Sequence, residues 1–91
     1  MRTFVVERQI PGAHQLTESE LRGIAAASNE AIAQLDRPYT WLHSYVAGDR
    51  FYCVHRAESP ETVCEHARLG GFPVDRVTEV AAVIDGSWAA T

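Results

Sequence analysis

The chain has 91 residues, 46% of them hydrophobic, and its eight Lys and Arg against twelve Asp and Glu give a net charge of −4. This length suits one small domain whose core is marginal, so a partner subunit would add stability. The net negative charge and the dispersed basic residues argue against binding to nucleic acid. The sequence shows neither an export signal nor a run of about 18 apolar residues, so we expect a cytoplasmic protein that does not span a membrane.

The first two predicted elements are a strand and a helix. Residues 3–10 alternate apolar and polar side chains and are followed by Pro-Gly, which predicts a strand. The sequence Thr-Glu-Ser-Glu that begins at Thr17 is a capping box, so a helix begins there with Thr17 as its N-cap. An apolar stripe at helical spacing runs to Leu35, and Pro38 ends the segment.

A hairpin is predicted next, because β-branched and aromatic residues fill 40–46 and 51–56 on either side of Gly48-Asp49. A loop of three residues places His43 opposite Cys53, and a loop of two residues places it opposite Val54. The turn sequence does not distinguish the two registers.

We expect the three-residue loop, because it also joins Leu42 to Val54 on an apolar face. This register places Trp41 opposite His55 as well, and it gathers histidine, cysteine and aromatic side chains on one face of the hairpin.

A second helix and a last strand complete the predicted domain. Ser59 is a suitable N-cap before Pro60, and Gly70-Gly71 is a C-terminal signal. Residues 74–84 alternate loosely and predict a strand. We therefore expect one domain over residues 1–85 and a flexible tail over residues 86–91.

This order of elements predicts an α+β ferredoxin-like βαββαβ sandwich, with both helices on one face of a four-stranded antiparallel sheet. The other face would expose too many aromatic groups for a monomer, so we expect a homodimer that closes into an α+β barrel. In the favoured register the residues on that face are Val5, Glu7, Trp41, His43, Tyr45, Phe51, Cys53, His55 and Glu79.

Imidazole, thiolate and carboxylate groups on that face suit a divalent transition metal such as nickel, zinc or copper. The predicted ligands are His43, His55 and Glu7, with Cys53 and Glu79 as further candidates. Each also has an ordinary interpretation as a packed histidine, a small buried thiol or a solvated carboxylate. The two cysteines share no metal or redox spacing, and no disulfide is expected.

The two remaining histidines are not predicted to be ligands. His66 is assigned to the flank of the second helix, near its C-terminus, where the helix dipole favours a cationic side chain. His14 follows Pro-Gly in a loop and is expected to be solvated.

Four segments in this order, residues 4–12, 41–46, 51–55 and 65–80, resemble a family of small bacterial proteins catalogued as a domain of unknown function. The family includes a nickel-binding member with a ferredoxin-like fold that dimerises into a barrel, and the resemblance implies that fold and dimer. The family pattern matches at Glu7, Trp41, Ser44, Tyr45, Cys53, His66, Arg68, Gly70, Gly71 and Pro73. His43 matches some members where others have glutamine, and His55 replaces the more usual tyrosine.

The predicted function is binding of a divalent metal ion, nickel above all, in the cavity of the dimer, for sequestration or sensing. One alternative is a dimeric α+β barrel enzyme whose cavity holds a small organic substrate, with His43 or His55 transferring a proton. Another is an interaction module whose aromatic face serves only as the dimer interface. The sequence contains no nucleophile elbow, phosphate loop, CxxC or HExxH motif, which weakens the enzyme alternative.

Overall fold

Two helices and a four-stranded sheet form the fold in the computed structural model, which describes residues 1–90. The elements are β1 (Arg2–Gln9), α1 (Glu18–Gln34), β2 (Tyr39–Ala47), β3 (Arg50–Ala57), α2 (Pro60–Gly70) and β4 (Arg76–Glu79), with 3₁₀ helices at Ala13–Gln15 and Gly86–Ala90. The strands are antiparallel and lie in the order β2-β3-β1-β4. This is the predicted ferredoxin-like arrangement.

Both helices begin where the sequence places them. The Thr17 hydroxyl accepts a hydrogen bond from the Glu20 backbone N–H at 3.1 Å, and the Glu20 carboxylate accepts one from the Thr17 N–H at 2.9 Å, which completes the capping box. The Ser59 hydroxyl caps α2 by accepting from the Thr62 N–H at 3.3 Å. Neither helix is long and apolar enough to cross a membrane.

The last strand is shorter than predicted. Only Arg76–Glu79 form β4, and beyond it the Val80 N–H still donates to the Thr3 carbonyl at 2.8 Å. The following residues leave the sheet, so the predicted extension to residue 84 is wrong. The 3₁₀ helix lies in the predicted tail, whose last residue, Thr91, is outside the described residues.

The core lies between the helices and one face of the sheet. Phe4 and Val6 of β1 are fully buried there, and α2 contributes Val63. Side chains on the opposite face remain partly or largely exposed within the single chain, so the prediction that the helices cover only one face is confirmed.

The hairpin has a two-residue turn, because Ala47 lies opposite Arg50. His43 therefore faces Val54, and the predicted three-residue loop is wrong. An irregularity between Trp41 and His43 then shifts the register by one residue. As a result Trp41 lies opposite His55 as predicted, although the reason is a bulge and not the loop length.

The turn is held in place by the segment that follows β1. The Gly48 and Asp49 carbonyls accept hydrogen bonds from the N–H groups of His14 at 2.9 Å and Ile10 at 2.8 Å. The Asp49 carboxylate accepts a third from the Gly12 N–H at 2.9 Å. Gly48 adopts φ of +58°, a left-handed conformation that glycine tolerates without strain. Contacts from outside the hairpin thus select the two-residue turn.

This register divides the predicted aromatic face between the two sides of the sheet. A shift of one residue moves a side chain to the opposite face, because successive side chains alternate. The open face carries Val5, Glu7, His43 and Tyr45, whereas the helix-covered face carries Trp41, Phe51, Cys53 and His55. The prediction of one shared face with histidine and cysteine is therefore wrong.

Candidate functional site

The five predicted metal ligands lie in three separate places. Glu7 and His43 are on the open face, and Cys53 and His55 are in the core. Glu79 lies on the edge strand β4, opposite Phe4 in register and so not on the open face, and its carboxylate accepts a hydrogen bond from Arg2 at 2.7 Å. No group of three or more His, Cys, Asp or Glu side chains in residues 1–90 is placed to hold a metal ion.

The open face carries two side chains of types that can bind metals, Glu7 and His43, and their backbones are far apart. Glu7 lies opposite Tyr52, which lies opposite Tyr45, and the His43 ring packs edge-on against Tyr45 with a centroid distance of 5.1 Å. His43 is two strands and two residues away from Glu7, which corresponds to roughly 12 Å between their Cα atoms at ordinary strand spacing. Within residues 1–90 of one chain, these two side chains belong to no group of three or more that is placed to hold a metal ion.

A second group of polar side chains surrounds a cavity of about 60 Å³ between the sheet and the helices. Its polar lining comes from both the sheet and the helices and consists of Arg8, Ser28, Ser44, His55 and His66, together with the thiol of Cys53. Its apolar lining consists of Ile10, Ile24, Trp41, Phe51 and Phe72. The accessible surface of the cavity is therefore almost entirely apolar, although several polar side chains take part in its lining.

Two buried histidines form the centre of this lining. His55 and His66 are each 1% exposed, and their ring centroids are 5.1 Å apart. His66 Nε2 is 3.1 Å from the Ser28 hydroxyl, and this contact links the two helices. Within residues 1–90, no hydrogen-bond partner reaches His66 Nδ1, either ring nitrogen of His55, or the hydroxyl of Tyr39, whose ring stacks on His66 at 4.8 Å.

Burial keeps these groups uncharged at neutral pH. It is the main reason that the pKa of His55 falls from 6.5 to about 3, with further contributions from His66 and Arg8. Burial and Arg8 also lower the pKa of His66, and burial raises the pKa of Tyr39. Each neutral imidazole has one N–H donor and one nitrogen acceptor.

Arg8 supplies the charge beside this cavity. It is only 3% exposed, its Nη1 donates to the Pro73 carbonyl at 2.7 Å, and its guanidinium lies 5.4 Å from the Phe72 ring centroid. No carboxylate in residues 1–90 forms an ion pair with it. A buried charge without a counterion costs free energy, and this one repels cations and attracts anions.

Sequence reasoning missed Arg8 and misplaced His66. Arg8 continues the buried alternation of Phe4 and Val6, so the pattern itself indicated an arginine facing the core. His66 follows Val63 by three residues, a spacing that places both side chains on the same face of α2. The assignment of His66 to the helix flank is therefore wrong.

The family model described as "Nickel responsive protein SCO4226-like" matches residues 4–80 of the chain. The chain belongs to this family. Among solved structures, that of SCO4226 from Streptomyces coelicolor A3(2) matches with a TM-score of 0.75 and 20% identity, covering 90% of this chain and 99% of that one. This likeness shows a common fold. No curated protein sequence matches the chain.

Membership in the SCO4226-like family confirms the resemblance seen in the sequence and relates the chain to proteins described as nickel-responsive. Imidazoles suit nickel chemically, and this SCO4226-like chain holds them in three places: His55 and His66 in the core, His43 on the open face and His14 in the 3₁₀ helix after β1. His55 and His66 lie beside the positive charge of Arg8, which opposes a divalent cation. His43 lies on the open face, where its ring contacts Tyr45.

Proposed function

We propose that this SCO4226-like protein binds a divalent transition metal ion, with nickel as the first choice, on the open face of its sheet. The ion is sequestered or sensed at a site that a second copy of the chain completes. The observation that carries the proposal is His43, an exposed imidazole on an uncovered sheet face in a chain of the nickel-responsive family. Glu7 on the same face is the second proposed donor.

The need for a second copy follows from the spacing of the donors. In one chain the Cα atoms of His43 and Glu7 are roughly 12 Å apart, with Tyr45 and Tyr52 between them in register, and residues 1–90 contain no group of three or more donors placed to hold an ion. A two-fold dimer presents each donor twice and brings donors from different chains together across the axis. Cys53, His55 and Glu79 are not part of this proposal, because they do not lie on the open face.

The exposed apolar surface supports a dimer. Tyr45 on the open face is 60% exposed and Leu42 at the bulge is 45% exposed. Beyond β4, Val83, Ile84 and Trp88 are 77%, 69% and 59% exposed. A domain of this size also buries only about 60% of the surface of its unfolded chain, so an apolar interface adds needed stability.

Calorimetric titration with nickel chloride tests the metal site. Protein purified without an affinity tag and stripped with a chelator should bind nickel at pH 7.5 and bind it more weakly at pH 5.5, because a coordinating imidazole must lose its proton. His43→Ala removes a proposed ligand and should weaken binding by about tenfold or more, since the loss of even a hydrogen-bond partner of a ligand has an effect of that order. Titration with zinc and copper then ranks the metals.

His14→Ala is the matched control. His14 is also exposed, but it lies in the 3₁₀ helix after β1, where its Nδ1 is 3.1 Å from the Gly48 carbonyl. This variant should bind nickel as the wild type does. Equal affinity of wild type and His43→Ala, or loss of binding in the His14 variant alone, would show that the site is elsewhere.

Sedimentation equilibrium tests the dimer separately. The protein at micromolar concentration should have twice the chain mass, and Tyr45→Glu should shift it towards the monomer, because a buried unpaired carboxylate opposes association. Ala26→Glu, a change at an exposed position of α1, should leave the mass unchanged. If the wild type is a monomer, the proposed metal site shared by two chains is wrong.

A further inference from the structure

The cavity lined by Arg8, His55 and His66 is not used by the proposed metal site. It lies on the helix-covered side of the sheet, whereas His43 and Glu7 lie on the open side. Its lining combines one buried, unpaired cation with buried ring nitrogens that have no partner in residues 1–90. Such groups are costly in a folded protein unless something binds them.

We propose that this cavity binds a small organic monoanion, a short-chain carboxylate, whose charged end pairs with Arg8 and whose apolar end packs against the aromatic and aliphatic lining. The planar guanidinium of arginine matches a carboxylate in shape and forms two parallel hydrogen bonds with it. The N–H group of a neutral imidazole is a further donor for the same carboxylate.

The chemistry of the lining restricts the ligand to one negative charge. Arg8 is the only cationic side chain among the lining residues in the described part of the chain, because His55 and His66 are neutral. Burying a second negative charge would leave it unpaired. Phe51, Trp41 and the other apolar lining residues favour a hydrocarbon body over an inorganic oxyanion.

The size of the cavity restricts the ligand further. Its volume of about 60 Å³ compares with the roughly 10–15 Å³ that one water molecule requires. The cavity therefore has space for about four to six non-hydrogen atoms, the size range from acetate to butyrate. Propionate lies in the middle of this range and is the probe of choice.

Nuclear magnetic resonance provides a readout inside the protein. Trp41 lines the cavity and Trp88 does not, so their indole N–H signals form an internal comparison. Propionate should shift the Trp41 signal saturably in the millimolar range and leave the Trp88 signal in place. Propionamide has the same shape without the charge, and it should bind at least about tenfold more weakly.

Three arginine variants assign the charge. Arg8→Met keeps much of the side-chain volume but removes the charge, and it should reduce propionate affinity at least about tenfold. Arg8→Lys keeps the charge without the planar guanidinium, so its propionate affinity should lie between those of the wild type and Arg8→Met. Arg22→Met is the matched control, because Arg22 is exposed on α1 and pairs with Glu18 away from the cavity. It should bind propionate as the wild type does.

The wild-type comparison of propionate with propionamide stands even if Arg8→Met fails to fold. The proposal is overturned if propionate causes no saturable shift of Trp41, since the cavity would then hold water only. It is also overturned if propionamide, chloride or phosphate binds as tightly as propionate, or if Arg22→Met weakens binding as much as Arg8→Met. Nickel titration of the same variants distinguishes a failure of this proposal from a failure of the proposed metal site, because Arg8→Lys should retain the nickel affinity of the wild type.

Discussion

Acid should destabilise this protein through His55. The pKa of this buried side chain is lowered from 6.5 to about 3, mainly by burial, with His66 and Arg8 adding to the effect. Below pH 6.5 the unfolded chain binds a proton at His55 that the folded chain does not bind, so the free energy of unfolding falls as the pH decreases towards 3. Above pH 6.5 the residue is neutral in both states and contributes no pH dependence.

The expected loss is large for a domain of this size. A difference of one proton changes the free energy of unfolding by about 1.4 kcal/mol per pH unit. Two units below pH 6.5, at pH 4.5, His55 alone should therefore cost about 2.7 kcal/mol. Small domains have only about 5–15 kcal/mol of stability in total. His66 has its pKa lowered as well and acts in the same direction.

Urea denaturation followed by circular dichroism measures this loss. The wild type, His55→Phe and His14→Gln are compared at pH 7.5 and pH 4.5, at one protein concentration and in buffers free of metals and carboxylates. His55→Phe keeps an aromatic ring and removes the titrating group, so the wild type should lose about 2.7 kcal/mol more than this variant between the two pH values. His14 is exposed, and its variant should follow the wild type.

Equal losses in wild type and His55→Phe would refute this reasoning. They would mean that His55 takes up a proton in the folded protein or that its pKa is not lowered. The assignment of His55 as a buried, neutral residue beside Arg8 would then be wrong. The cavity lining would also have to be described differently.

Two further predictions concern single side chains. Thr17→Ala removes the capping box and should cost about 0.5–2 kcal/mol of unfolding free energy, measured by chemical denaturation, whereas Ser19→Ala at a neighbouring exposed position should cost little. Cys64 is exposed and Cys53 is buried, so a thiol reagent should modify one cysteine rapidly in the native protein and both after denaturation. Rapid native labelling of both thiols, or equal stability losses at positions 17 and 19, would contradict the corresponding prediction.

The sequence by itself determined the number, type and order of the elements and the start of each helix. The capping box at Thr17, the Ser59-Pro60 start of α2 and the glycine at its end, Gly71 with φ of +71°, are all present in the structure. Each depends on hydrogen bonds or backbone angles within a few residues, so the local sequence is sufficient. The βαββαβ order and the right-handed crossover rule then led to the ferredoxin-like fold.

Only the tertiary structure decided which face of the sheet the hairpin residues occupy. Gly48-Asp49 is compatible with two loop lengths, and the choice depends on hydrogen bonds from Ile10, Gly12 and His14 in another part of the chain. Because side chains alternate along a strand, this one-residue difference moves His43 away from Cys53 to the opposite face.

The cavity is likewise a product of the tertiary fold. Arg8, His55 and His66 come from β1, β3 and α2, and no local pattern brings them together. The burial of Arg8 and of His66 was accessible from their spacing, since Arg8 follows the buried phase of a strand and His66 the buried face of a helix. Their meeting depends on how the helices pack across the sheet, a long-range arrangement that no short segment of sequence specifies.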